Sequence, residues 1–340
     1  MNCIAVDAMG GDHAPEEIVS GAVDAARKSN GRFEVVLVGD QPVVEKELHN
    51  HHFIKDLPIS IIHASQTVDM SESPSKALRQ KPDSSIAVAF KLHKEKKVQA
   101  VVSAGNTGAV MASALFSLRP IAGVHRPAIG SFMPHESGVC LMLDVGSNVD
   151  CKAEHLHQFG LMGSIFMNHL MDIESPKVGL LNIGEESSKG SEAVQKAYQL
   201  LEKSSLNFIG NIEGRDVLTG RSDVVVCDGF SGNVLLKFGE SLARMISRTM
   251  KRTIRGNLPG AVGLYLIRPS LRKFFKLFDY QEYGGAPLLG VKGNCIIAHG
   301  SSSARAIKNA VEESWKMIKG NVTQQIENRI NEMKGTGVGK

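Results

Sequence analysis

Cysteine is scarce in this chain of 340 residues: Cys3, Cys140, Cys151, Cys227 and Cys295 are all there is, and no two form a C-x-x-C pair. An odd, scattered set excludes a disulfide framework and a thiolate zinc site, and predicts reduced, buried thiols. The histidines show no H-E-x-x-H or similar spacing, so no metal is expected. No apolar run approaches the roughly 20 residues of a membrane-spanning helix. The first residues, MNCIAVD, enter a strand-like run with no basic region and no cleavage site, so no signal peptide is read and a cytoplasmic location is expected. The formal net charge of +4 is too small to point to nucleic acid.

The familiar nucleotide and hydrolase signatures are missing too. There is no G-x-x-x-x-G-K followed by Ser or Thr, and the turn after the first strand reads M-G-G-D rather than G-x-G-x-x-G. Neither an ATP P-loop nor an ordinary dinucleotide site is supported. No G-x-S-x-G elbow occurs, which argues against an acyl-serine hydrolase. The last absence is local. Between residues 241 and 278 there is no Asp or Glu, while Arg244, Arg248, Lys251, Arg252, Arg255, Arg268, Arg272, Lys273 and Lys276 all occur.

What is present is an α/β rhythm. Short β-branched runs at 3–6, 34–38, 60–63, 99–102, 139–145, 177–182, 224–227 and 295–298 alternate with helical patterns. That alternation predicts a mostly parallel sheet covered on both faces. A helix is expected to begin near Ala14, with Pro15 in its first turn and Glu16 and Glu17 facing the helix dipole. Others are expected over 84–94, 107–118, 151–170, 192–203, 233–254 and 302–319. The chain reads as one large α/β unit over residues 1–333, in one lobe or two, with an amphipathic helical insertion at about 241–280 and a frayed tail at 334–340.

Seven polar clusters bearing glycine follow strand-like runs: DAMGGDH at 7–13, SAGNTGA at 103–109, DVGSNVD at 144–150, NIGEESSKG at 182–190, GNIEGRD at 210–216, DGFSGN at 228–233 and HGSSS at 299–303. Open α/β sheets place ligands at such strand ends. Glycine allows close backbone approach, and amides at a helix N-terminus favour an anion. Asparagine adds a hydrogen-bond donor without charge, which suits a thioester or carbonyl oxygen. Any one cluster could be a capped turn; seven of them indicate a site.

Within the acid-free stretch, the segment 258–267 is apolar and broken by Pro259 and Gly263. After Pro269, the apolar residues Leu271, Phe274, Phe275 and Phe278 share one helical face with Arg272, Lys273 and Lys276 beside it. Two readings stand: a helix packing its aromatic face on the core, or a surface that meets anionic lipid or an acidic partner.

These residues carry a resemblance. DAMGGD at 7–12, SAGNTGA at 103–109, LDVGSNVD at 143–150, GLLNIGEE at 179–186, GNIEGRD at 210–216, DVVVCDGFSGNVLLK at 223–237, YGGAPLLG at 283–290 and HGSS at 299–302 together resemble the PlsX family of bacterial phosphate acyltransferases. The match runs in one order over nearly the whole chain. Ser147 departs from it, standing where Ala is expected.

The resemblance implies transfer of a long-chain acyl group from acyl carrier protein to inorganic phosphate, giving an acyl phosphate for phospholipid synthesis. It also implies an α/β/α sandwich like that of phosphotransacetylases and isocitrate dehydrogenases, a homodimer, and a membrane glycerol-3-phosphate acyltransferase as recipient of the product. No cofactor is expected, since phosphate is itself the nucleophile. The site must place phosphate against the thioester and stabilise an oxyanion. On this reading Gly10 and Gly11 amides with Lys189, Arg215 and Lys237 bind phosphate. Asn106, Asn148 and Asn233 are the candidate oxyanion and pantetheine donors. Asp150 completes the catalytic set, although it could simply cap the helix expected at 151–170. Asp144, Glu185 and Asp228 orient these groups. Leu264, Arg268, Arg272, Lys273, Phe274 and Phe275 would contact the carrier protein or an anionic membrane surface. Rival readings are a phosphotransacetylase using an acyl-coenzyme A, a nicotinamide-dependent dehydrogenase on a related fold, and a non-catalytic membrane scaffold.

Overall fold

The strands of the computed structural model form one sheet of eleven, ordered β3-β2-β1-β4-β11-β10-β5-β6-β9-β7-β8, with β3 at Ile59–His63 and β4 at Ala100–Ser103; residues 2–255, 267, 269 and 280–335 are described. Successive side chains of the strands go to opposite faces, as the pleat requires. Ile4 and Val6 of β1 (Asn2–Asp7), Val35 and Leu37 of β2 (Phe33–Gly39) and Leu141 and Leu143 of β6 (Gly138–Leu143) join one core cluster. Ala5, Val36, Val38, Cys140 and Met142 of the same strands join the other. Both clusters are roofed by helices, so the architecture is a three-layer α/β/α sandwich.

On the first face lie α1 (Glu16–Ser29), α6 (Ala153–Met171) and the helix Ala304–Lys319, here α9. The second face takes α4 (Ser85–Lys94) and α5 (Thr107–Leu118). The expected Pro15 is the N-cap of α1 rather than part of its first turn. Glu17 reaches further than its own helix, accepting the N–H of Ala304 at 2.5 Å.

Seven of the ten strand pairs are parallel, and the three antiparallel ones lie together in the middle, at β11–β10, β10–β5 and β5–β6. This reversal sets β3, β2, β1, β4 and β11 (Asn294–Ile297) running one way and β6, β9 (Val224–Val226), β7 (Lys177–Leu181) and β8 (Asn207–Ile212) running the other. Register then matters. Ile297 at the end of β11 pairs with Ala286 of β10 (Ala286–Leu289). Leu143 at the end of β6 pairs with Gly130 of β5 (Ala128–His135), next to Ile129, which pairs with Leu288. The carboxyl ends of the two parallel sets therefore meet about one residue step apart along the shared ladder. Loops leaving them face each other.

Three strands, β5, β8 and β10, are not anticipated from the pattern. β5 carries Gly130, Ser131 and Pro134, β8 carries Gly210, and β10 has only four residues. Such residues weaken the β signal, and the ladder comes from tertiary pairing. Helix Gly229–Arg255, α8, spans 27 residues, so the first part of the expected insertion is the continuation of a helix that starts at the sheet. Lys334 and Gly335, expected in the tail, are helical in Val322–Gly335. Leu264, Arg268, Arg272, Lys273, Phe274 and Phe275 lie outside the described residues. Among the described helices none is long and apolar enough to cross a membrane.

Gly21 sets the closest helix contact. A methyl there would collide with the Ala304 carbonyl and stand 2.7 Å from Ile307 Cβ, so α1 and α9 nearly touch. Gly21→Ala should therefore destabilise the protein by about 1–3 kcal/mol through overpacking, although alanine gains roughly 1 kcal/mol in helix propensity. A urea melt checks the sign.

Candidate functional site

Two buried carboxylates organise the loops at this junction. Asp7, at the end of β1 and fully buried, accepts the Ser103 hydroxyl at 2.6 Å and the Met9 N–H at 3.2 Å. Burial pushes its carboxyl up, with Ser103, Ser85 and the Met9 and Gly10 amides pulling the other way. Ser103 in turn accepts the Gly105 N–H at 3.0 Å. Gly10 fits between these loops because it has no side chain: a methyl would strike Asp7 Oδ2 and come within 2.7 Å of the Gly105 nitrogen. The Asp12 N–H donates to the Gly300 carbonyl at 2.8 Å, tying in the loop after β11.

Asp144, after β6 and also fully buried, does the same for the other strand set. Its carboxylate accepts the Ile129 N–H (3.0 Å), the Ser147 N–H (3.0 Å) and hydroxyl (2.7 Å), and the Asn148 N–H (2.6 Å) and side-chain amide (3.1 Å). The unexpected Ser147 hydroxyl thus joins the network, and it also accepts the Ile129 N–H at 3.2 Å. α8 is seated on this loop. The Gly229 N–H donates to the Asn148 carbonyl at 2.7 Å, and Asp228 caps the helix by accepting the Ser231 N–H and hydroxyl, both at 2.8 Å. Gly232 lies so close to the Asp144 carbonyl that a methyl there would collide with it.

A cavity of about 310 Å³ opens where the two sets of loops meet, within the size range of small-ligand sites. Its polar lining includes Thr107 at the start of α5, Asn233 and Lys237 on α8, and His299 after β11. Ile129, Phe132, Val145 and Leu236 supply an apolar wall, and the turn Tyr283, Gly284 and Gly285 closes one side. Among its described lining residues Lys237 is the only Lys or Arg, held by Glu240 at 3.1 Å and half exposed. Gly146 has φ +140, and the nearest group to a methyl there would be the Asn233 side chain, at 3.9 Å. The Ser301 N–H donates to His299 Nδ1 at 3.2 Å, which leaves Nε2 to carry the proton of a neutral ring.

The expected site residues divide. Asn233 and Lys237 line the cavity, and Asp144 and Asp228 hold the loops around it. Asn106 and Asn148, expected as donors to substrate, already use their amides. Asn106 accepts the Ala109 N–H as the N-cap of α5 and donates to the Met70 and Glu72 carbonyls at 2.7 and 3.0 Å. Asn148 donates to the Pro127 carbonyl at 2.8 Å as well as to Asp144. Asp150 is not a helix cap, because α6 starts at Ala153 behind Lys152. Gly10, Gly11, Lys189 and Arg215 are not among the cavity's lining residues. Lys189 is exposed on the loop after β7, and Arg215, after β8, pairs with Glu213 at 3.2 Å. With strands about 4.8 Å apart, those loops stand two and three strands from β6. Glu185 pairs there with Arg221 at 2.5 Å.

Thr107, His299 and the 283–285 turn join the site without having been singled out. The first two sit in loops whose glycines and asparagines drew more notice, and the turn precedes a strand instead of following one. Burial raises the thiols: Cys140, Cys151 and Cys295 are pushed up to about 12, and Cys227 well above its usual value. None is a ready nucleophile. Among the described residues no group of three or more His, Cys, Asp or Glu is placed to hold a metal ion.

A family model described as "Fatty acid synthesis protein" matches residues 3–325. The phosphate acyltransferase of Dictyoglomus turgidum is 47% identical over 336 residues, covering 98% of this chain and 99% of the relative. That of Syntrophotalea carbinolica is 50% identical over 327 residues, covering 96% and 92%. Among solved structures, a phosphotransacetylase from Streptococcus pyogenes superposes with a TM-score of 0.63 at 18% identity, covering 94% of each chain. The EutD phosphotransacetylase from Staphylococcus aureus gives 0.62 at 17%, covering 93% of this chain and 94% of its own. These two likenesses show the fold.

Asp144→Ala would strand several buried N–H groups at once, each costing about 1–3 kcal/mol. The variant should lose at least about 3 kcal/mol in a denaturant melt. Ser147→Ala, which removes one hydroxyl, should lose about 1 kcal/mol and keep its activity.

Proposed function

The chain belongs to the fatty acid synthesis protein family, that of the phosphate acyltransferases, and on that premise we propose that its acyl donor is a long-chain acyl carrier protein thioester and its reaction site the cavity between the two strand sets. The chain is an acyltransferase that moves an acyl group onto inorganic phosphate for lipid synthesis.

The observation that carries the placement is one cavity combining a cation, an uncharged amide donor and an apolar wall: Lys237, Asn233, and Ile129 with Phe132 and Leu236. Phosphate binds at Lys237 near the first turn of α5, where Thr107 offers a hydroxyl and helix N–H groups favour an anion. The acyl chain lies on the apolar wall. An oxygen of hydrogenphosphate attacks the thioester carbonyl carbon, the C–S bond breaks as the tetrahedral intermediate collapses, and the proton of hydrogenphosphate ends on the departing sulfur. Charge and atoms balance without an enzyme nucleophile, in keeping with the raised thiols. The Asn233 amide donates to the developing oxyanion, and the His299 ring lines the same cavity.

Lys189, Arg215, Gly10 and Gly11 are then outer supports instead of phosphate ligands. Asp150 and Glu185 take no part in the bond changes. The exposed arginines Arg244, Arg248 and Arg252 recur every fourth residue of α8 and fit an acidic carrier protein. An apolar stripe of Phe230, Val234, Phe238 and Met245 is exposed on the same helix. It fits the contact of a homodimer; a cytoplasmic location and peripheral contact with an anionic membrane and its glycerol-3-phosphate acyltransferase, through Leu264, Arg268, Arg272, Lys273, Phe274 and Phe275, complete the proposal.

Phosphate-dependent thiol release should be fast with palmitoyl carrier protein and slow with acetyl-coenzyme A; the reverse order would make the chain a coenzyme A enzyme. Lys237→Ala should raise the phosphate KM about 10–100-fold, and Asn233→Ala should lower kcat about 100-fold. Lys189→Ala and Arg215→Ala should shift the phosphate KM by less than Lys237→Ala does. Larger effects from those two would move the phosphate site to the β7–β8 edge. Liposome flotation unchanged by charged replacements of Leu264, Phe274 and Phe275 would remove the membrane role.

A further inference from the structure

The wall at 283–285 reaches the cavity from behind, where a second cavity of about 140 Å³ shares Phe132 and Tyr283 with it. The 3-10 turn Tyr280–Tyr283 and the two glycines after it lie flat on α9. Asn309 donates to the Glu282 carbonyl at 3.1 Å and Arg305 pairs with the Glu282 carboxylate at 2.7 Å. Gly284 has φ +84, and a methyl on it would be 2.7 Å from the Asn309 carbonyl carbon. One residue of α9 in this contact has no evident partner. Glu313 is 5% exposed, and neither of its carboxyl oxygens meets hydrogen-bond geometry with a described residue: the Gly285 amide is near, but its N–H donates to the Tyr283 carbonyl at 3.1 Å.

We propose that Glu313 is a positioning residue for acyl transfer: held uncharged under the 283–285 turn, it lets that wall sit on α9, and its ionisation unseats the wall. The proposal rests on the reading of the first cavity as the reaction site. An unpaired carboxylate in so buried a place is costly, whereas the neutral acid is tolerated. Burial drives its pKa well above the ordinary carboxylate value, against the smaller influences of the Gly285 amide and Lys316. The other titratable groups of the second cavity are already engaged. Glu312 pairs with Lys28 of α1 at 2.8 Å, Glu282 with Arg305, and the Lys316 ammonium donates to the Leu170 carbonyl of α6 at 3.3 Å. Tyr283 is raised as well, first by burial and then by Glu282.

The sign follows from linkage. A carboxyl whose folded pKa is raised contributes its stabilisation fully below the unfolded pKa, and that contribution is lost as pH rises through the folded pKa. At saturating phosphate, wild-type kcat should therefore fall about tenfold for each pH unit above that folded pKa. Glu313→Gln, neutral at every pH, should keep kcat within about threefold on the acid side and lose that fall. Identical alkaline limbs in the two proteins would overturn the proposal. Hydrogen exchange in the wild-type chain gives a second readout that needs no variant. After correction for intrinsic rates, the amides of 284–286 should lose protection as pH rises, while the centre of α9 does not. Unchanged protection there would also overturn it. That readout is independent of whether Lys237 and Asn233 serve catalysis, so failure of the cavity assignment and failure of the Glu313 role are separable.

Discussion

Two carboxylates that never reach solvent hold this molecule's chemistry in place. Asp7 and Asp144 each end a strand, each lie at 0% exposure, and each accept backbone N–H groups from the loop that follows together with a serine hydroxyl. A buried carboxylate is affordable only when its lone pairs are filled, so the loop must adopt the one shape that fills them. Glycine is then obligatory where backbones converge, as at Gly10 beside Asp7 and Gly232 against the Asp144 carbonyl. The loops are stiff because their anchors are buried and their oxygens are taken by several hydrogen bonds at once. A site that must distinguish a reacting phosphate from water gains from such stiffness.

The antiparallel strands β10 and β5 make the two anchors meet. In an all-parallel sheet, every carboxyl end lies along one edge, and loops from distant strands stay apart. Reversing direction midway, with Ile297 opposite Ala286 and Leu143 opposite Gly130, turns the two sets of ends toward each other. The result is a cavity with one wall from each set, a variant of the switch-point crevice of open α/β sheets. It also explains why a strand of four residues and a turn preceding it, at 283–286, contribute to a site otherwise built from strand ends.

Much of this was legible in the amino acids. Eight strand runs and most helices follow from periodicity, and 107–118 matches α5 residue for residue. The polar loops were legible because Gly, Asn and Asp clusters have few other uses at strand ends. The division of labour among them was not. Asn106 and Asn148 have the chemistry of substrate donors, but an asparagine at a loop also caps helices and clips carbonyls, and only coordinates separate these uses. Lys189 and Arg215 carry the right charge but lie on loops away from the cavity. Strand order, which sets them two and three places from β6, is a long-range property that no local spacing encodes. The turn at 283–285 stood in the sequence as part of the YGGAPLLG segment, but its place on the cavity wall depends on the same long-range order.

α8 links the site to the surface. Its first turns bear on the Asp144 loop through Gly229 and Gly232 and present Asn233 and Lys237 to the cavity. At about 1.5 Å per residue its 27 residues extend roughly 40 Å, and its later turns carry Arg244, Arg248 and Arg252. The chain that leaves α8 returns at the 3-10 turn Tyr280–Tyr283, which leads directly into the opposite wall of the same cavity. The two described elements on either side of residues 256–279 thus both contribute to the lining of this cavity. On the proposed reading, a carrier protein that meets Arg244, Arg248 and Arg252 rests on the same helix that presents Lys237 to the cavity. Under that proposal the thioester's protein half and its reacting carbon would be recognised by two ends of one helix, which is the coupling that delivery of an acyl group to phosphate requires.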